Sequence, residues 1–91
     1  GIKLDKGLVA NSTTKPGIAI LRAIVQAGHE LGITILAEGV ENAEEIQAMQ
    51  EIHCDVIQGF RFYRPIPAQD AKDIIQERFS GRDFTENTPQ Q

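Results

Sequence analysis

The chain has 91 residues, 41% apolar and 24% charged, with a net charge of −4 and a pI near 5.0. That length holds one small domain at most, and the acidic balance argues against the basic face that a nucleic-acid polymer requires. A single cysteine, Cys54, excludes an internal disulfide framework and fits a reducing cytosol, and no apolar run reaches membrane-spanning length. The opening residues do not read as a signal peptide. The chain opens on Gly1-Ile2-Lys3-Leu4-Asp5 without an initiator Met, which reads as the middle of something longer.

Ile2–Asp5 reads as a short strand, in which alternation puts Lys3 and Asp5 on one face. A lysine there lies at a solvated edge or is aimed at a site. Lys6–Lys15 is a polar connection through Asn11-Ser12-Thr13-Thr14. Pro16 suits the first turn of a helix. From there Ile18, Leu21, Val25, Gly28 and Leu31 recur at helical spacing, with Ile24 widening the stripe. Gly32 is the expected stop. Gly28 on the stripe predicts close packing against a neighbour, while His29, beside it, reads as a surface residue.

Ile33–Gly39 predicts the central strand. Thr34, Leu36 and Glu38 share one face and Ile33, Ile35 and Ala37 the other; both are largely apolar, as in a strand covered on both sides. The run leads straight into Glu38, Gly39 and Glu41. In βα architectures chemistry sits where a strand ends, and two carboxylates suit metal-assisted or acid–base work. Acids before a helix serve equally as caps and dipole partners. Asn42 caps the next helix, Glu45 completes a capping box, and Ile46, Met49 and Ile52 supply the buried stripe.

His53-Cys54-Asp55 turns the chain into a third strand, Val56–Gly59. Gln58 at its end offers a donor and an acceptor to a ligand, or ties down the loop. Cys54 reads as a small buried apolar residue, and the His53-Cys54 pair lacks the further ligands of a zinc site. Phe60–Pro67 is a loop whose aromatics and arginines suit a base and a phosphate, or packing over the end of a barrel. Ala68–Phe79 predicts a last helix, and Ser80–Gln91 a polar, disordered tail. The order β-α-β-α-β-α implies an α/β fold with parallel strands and right-handed crossovers. Three units cannot close an eight-stranded barrel, so edges and one sheet face are left bare.

Lys3-Leu4-Asp5, Ala37-Glu38-Gly39-Val40-Glu41-Asn42, Cys54-Asp55, Gln58-Gly59-Phe60 and Arg64-Pro65-Ile66-Pro67 together resemble the C-terminal part of an EAL domain, over residues 1–79. The resemblance implies the last three units, strands 6–8, of a TIM-type (β/α)8 barrel. It implies a phosphodiesterase in which magnesium or manganese activates a water that opens cyclic di-GMP to linear pGpG. By matching positions, Lys3 is the lysine near the attacking water and the phosphate. Glu38 is the acid that organises metal-bound water or acts as general base, and Gln58 is a glutamine of the active-site floor. Glu41, Arg64 and Pro65 match the substrate-facing rim; Asp5 reads as structural.

No metal ligand lies directly in this stretch, Glu38 reaching a metal only through water. The Glu-Ala-Leu signature and the main ligands belong to earlier strands, so the isolated chain is expected to be inactive. Two positions depart from the family pattern: Leu8 stands near the usual phenylalanine, and His53 where a glycine is usual. The implied partners are cyclic di-GMP and, in a longer chain, GGDEF or sensory domains. The implied location is cytoplasmic, with any membrane anchor in segments not present. Bare edges predict self-association of the isolated chain. Two other readings are a degenerate EAL domain serving as a cyclic di-GMP receptor or scaffold, and a small self-standing α/β interaction module.

Overall fold

Alternation along the strands sends one row of apolar side chains against the helices and leaves the other row bare. The computed structural model describes residues 1–59 and 64–71. The order is β1 (Ile2–Leu4), α1 (Lys6–Ala10), a single 3-10 turn (Asn11–Thr13), α2 (Lys15–Glu30), β2 (Ile35–Val40), α3 (Ala43–Glu51), β3 (Val56–Gly59), β4 (Ile66–Pro67) and a 3-10 turn (Ala68–Asp70). The sheet runs β1-β2-β3-β4. The first three strands are parallel and β4 is antiparallel to β3.

The βαβαβ core therefore forms as predicted, with two additions. The stretch expected as a polar connection begins with α1, because Asp5 accepts from the Leu8 N–H at 3.0 Å and nucleates a turn. The stretch expected as a loop contributes β4, which pairs Ile66 with Ile57 and Pro67 with Val56. Pro67, having no N–H, sits where a proline is tolerated, on an edge strand. Of the predicted last helix only its first residues are described; its remainder, the loop over 60–63 and the predicted tail lie outside the described residues.

Leu21 and Val25 of α2, Ile46 and Met49 of α3, and Ile35, Ala37 and Ile57 of the strands form one buried cluster. A Cβ on Gly28 would lie 2.6 Å from Ile35 Cδ1, so the glycine on the stripe permits the close approach the spacing predicts. The opposite sheet face is open, as expected of three units that cannot close a barrel, although the two apolar rows of residues 33–39 fit a strand covered on both sides. Lys3 is exposed, and Leu36, Glu38, Val56 and Gln58 are only half-buried. Among the described residues no helix is long and apolar enough to cross a membrane.

Both long helices close with the same device. The Gly32 N–H donates to His29 O and the Ile33 N–H to Gly28 O; the His53 N–H donates to Gln50 O and the Cys54 N–H to Met49 O. These are Schellman closures, which put the residue after the cap in the left-handed region. Gly32 occupies it in α2 (φ 74°) and His53 in α3 (φ 64°). The first closure also explains why β2 starts at Ile35, two residues later than predicted: the Ile33 N–H is spent on α2. Cys54 is buried as expected, and burial pushes its thiol up to about 11.

Asp55 ties the lower end of the sheet to α2. Its Oδ2 accepts from the Ile35 N–H and from His29 Nε2, each at 2.8 Å. His29 is exposed, as expected of a surface residue, and its ring is engaged by Asp55. Burial alone would raise the Asp55 carboxyl; the Ile35 and His29 hydrogen bonds outweigh it and hold the group below its ordinary value.

Two predictions follow from these contacts. His53→Gly is expected to raise stability by up to about 1 kcal/mol, by relieving the left-handed backbone; a urea midpoint unchanged or lowered would contradict this. At neutral pH, Asp55→Ala is expected to cost about 1–3 kcal/mol, by orphaning the Ile35 N–H. The folded carboxyl titrates below its unfolded value. Its contribution is therefore complete above roughly pH 4 and is lost as pH falls through the folded value. The gap between the unfolding curves of the wild type and Asp55→Ala should narrow as pH falls through the folded value.

Candidate functional site

The site begins with a register shift. Ala37 pairs with Ile57 but Val40 pairs with Gly59, so two residues of β2, Glu38 and Gly39, oppose the single Gln58 of β3. This is a β-bulge, a device that re-aims side chains beside functional sites. It returns Val40 to the core, where it is fully buried, and leaves Glu38 half-buried and Glu41 exposed. Gly39 makes the bulge possible. Its φ is 69°, and a Cβ there would lie 2.7 Å from Lys6 Cβ and 2.9 Å from Lys6 Cγ. Simple alternation along the sequence cannot show this extra residue.

Lys3 and Glu38 meet across β1 and β2. Lys3 pairs with Leu36 in the ladder, and its Nζ lies 3.8 Å from Glu38 Oε2. Gln58 follows Ile57 on β3, whose side chain is in the core, so Gln58 belongs to the same open face as Glu38. All three stand toward the C-terminal ends of parallel strands. That is where βα architectures carry chemistry.

Glu41 is held elsewhere. Its carboxylate pairs with Lys6 Nζ at 2.9 Å, and its N–H donates to Glu45 Oε1 at 2.8 Å. The Glu45 N–H in turn donates to Asn42 Oδ1 at 2.8 Å. The predicted capping box is therefore present, with its reciprocal bond displaced one residue upstream, from the cap itself to Glu41. Arg64 and Pro65 are exposed at the entry to β4. Among the described residues no ion pair joins Arg64 to Glu38.

Lys6 is the residue that sequence reasoning missed. The available signal was the matched spacing of Lys3 and Lys6 against Glu38 and Glu41, each pair three apart. The Glu41 hydrogen bond and charge hold the Lys6 ammonium above its ordinary value.

A divalent cation needs a shell of oxygen donors. Among the described residues no group of three or more potential ligands forms, and Glu38 offers one carboxylate with an ammonium beside it. This set does not fit a metal by itself. A cavity of about 520 Å³ lies in the helical layer, between the 3-10 turn with the start of α2 and α3. Ser12, Lys15, Glu44 and Glu51 line it, and none of the predicted site residues does.

The profile of the EAL domain family matches residues 1–65. The oxygen sensor protein DosP of Escherichia coli is 46% identical over 70 residues, covering 76% of this chain and 9% of that protein. The cyclic di-GMP phosphodiesterase RocR of Pseudomonas aeruginosa is 37% identical over 73 residues, covering 79% of this chain and 19% of its own length. The crystal structure of an EAL domain protein from Listeria monocytogenes superposes with a TM-score of 0.63 at 35% identity, over 82% of this chain and 31% of that one. The matched stretch thus spans about a tenth of the first of these curated relatives and about a fifth of the second.

Gly39→Ala is expected to destabilise the chain by about 1–3 kcal/mol, through left-handed strain and displacement of Lys6. Chemical denaturation checks the size. A loss below the strain range would mean that the bulge relaxes to accept a side chain.

Proposed function

Because the chain belongs to the EAL domain family, we propose that it supplies strands 6–8 of a TIM-type barrel in a domain that hydrolyses cyclic di-GMP to linear pGpG. The observation that carries this reading is the Lys3–Glu38 pair, set across two parallel strands near their C-terminal ends with Gln58 on the third. In this reading Glu38 takes the proton of the attacking water as its oxygen bonds to phosphorus. Lys3 stabilises the negative charge that builds on the phosphoryl oxygens. Gln58 supplies a donor and an acceptor to that network, and Glu41, Arg64 and Pro65 form the substrate rim. The scissile P–O bond breaks and the leaving oxygen takes up a proton from solvent, leaving one phosphate end and one hydroxyl.

Magnesium or manganese belongs to the proposal, held by ligands outside the described residues; when bound it supplies charge neutralisation at the phosphate. The 91 residues alone are therefore proposed to be inactive. The open sheet face and the outer edge of β1 are the surfaces that earlier strands would cover, and through which isolated copies would associate. The proposed location is cytoplasmic, with GGDEF or sensory domains alongside.

The test uses the full-length protein that carries this chain, incubated with cyclic di-GMP and magnesium or manganese, with the nucleotides separated by chromatography. Metal-dependent pGpG is expected, with a fall of roughly 10²-fold or more in Glu38→Ala. Binding without turnover would move the domain to a receptor role, and neither binding nor turnover would sink the reading.

A further inference from the structure

We infer that Lys6 is a positioning residue that holds the Glu41 carboxylate on the rim of the site and bridges the start of α1 to the end of β2. What Glu41 does there rests on the phosphodiesterase reading; the clamp rests on geometry.

Three elements converge on it. Lys6 opens α1, set by the Asp5 cap, and its ammonium reaches Glu41 at 2.9 Å, against 3.8 Å for Lys3 and Glu38. Its stem crosses the bare backbone of Gly39, where any side chain would collide with it. From the far side, buried Glu45 accepts the Glu41 N–H, so both the backbone and the carboxylate of Glu41 are fixed. The charges agree: Glu41 and, more weakly, Glu45 favour the protonated lysine. An exposed ion pair adds little to stability. Its consequence is placement, since a rim carboxylate held in one position presents the same acceptor to each incoming substrate, with less ordering left for the bound state.

Kinetics of the full-length protein read this directly. Lys6→Met is expected to raise KM by roughly 3–10-fold with kcat little changed. Lys6→Arg, which keeps the charge, should restore most of the loss. Lys6→Met with Glu41→Gln should be no worse than Glu41→Gln alone, because Lys6 acts through Glu41. Additive losses, or a fall in kcat at unchanged KM, would overturn the inference.

A second measurement needs no substrate. With the lysines 13C-methylated, and the Lys6 resonance identified by its loss in Lys6→Arg, Lys6 should titrate lower in Glu41→Gln than in wild type. Equal titration would overturn the clamp. A shift in a protein that neither binds nor hydrolyses cyclic di-GMP would leave the clamp standing and remove the phosphodiesterase reading instead.

Discussion

Two residues of β2 stand opposite one residue of β3, and the shape of the site depends on that extra residue. Plain alternation from Ala37 would place Val40 on the open face and turn Glu41 toward the core. The bulge keeps Val40 buried and leaves both acids on the accessible side. It needs a left-handed backbone at Gly39, and a stretch of bare backbone there for Lys6 to cross. Sequence, register and charge pairing are therefore linked at one point. The Ala-Glu-Gly-Val-Glu stretch is a strand ending whose irregularity aims its side chains.

The two ends of the sheet have different work. At the N-terminal ends of β2 and β3, Asp55 satisfies the Ile35 N–H and ties in His29 from α2, while Cys54 contributes a buried thiol. These contacts hold elements together. At the C-terminal ends lie Lys3, Glu38, Gln58 and the Lys6–Glu41 pair. This division, structural contacts at one end and the candidate site residues at the other, matches the layout of parallel βα folds, whose βα loops gather at the C-terminal edge. The pair of Lys3 and Glu38 remains largely wetted on the uncovered face, where water screens its attraction. Covering that face with further strands would lower the local dielectric and strengthen every charge on it.

The helices were legible because their signals are local. The stripe of α2, its stop at Gly32, and the Asn42–Glu45 cap of α3 each depend on residues within a turn or two of one another. The departure at His53 was legible too, and the structure gives its meaning: the position requires the left-handed backbone that a glycine would adopt without strain. By contrast α1 is five residues long, too short for a periodic stripe, and its Asp5 cap reads as the last residue of a strand. β4 is two residues long and exists because Val56 and Ile57 offer an edge to pair with.

The sequence by itself determined the βαβαβ core, the membership of its apolar stripes, the EAL family motifs and the candidates Lys3, Glu38 and Gln58. Each is written in neighbouring residues, through periodicity, capping or a contiguous motif. Only the tertiary structure decided which sheet face is open, that β2 carries a bulge, and that Glu41 is held by Lys6. Those outcomes depend on the register between strands and on which side chains meet across it. Register is set by packing many residues at once, so residues far apart in the chain acquire their partners only when the sheet forms.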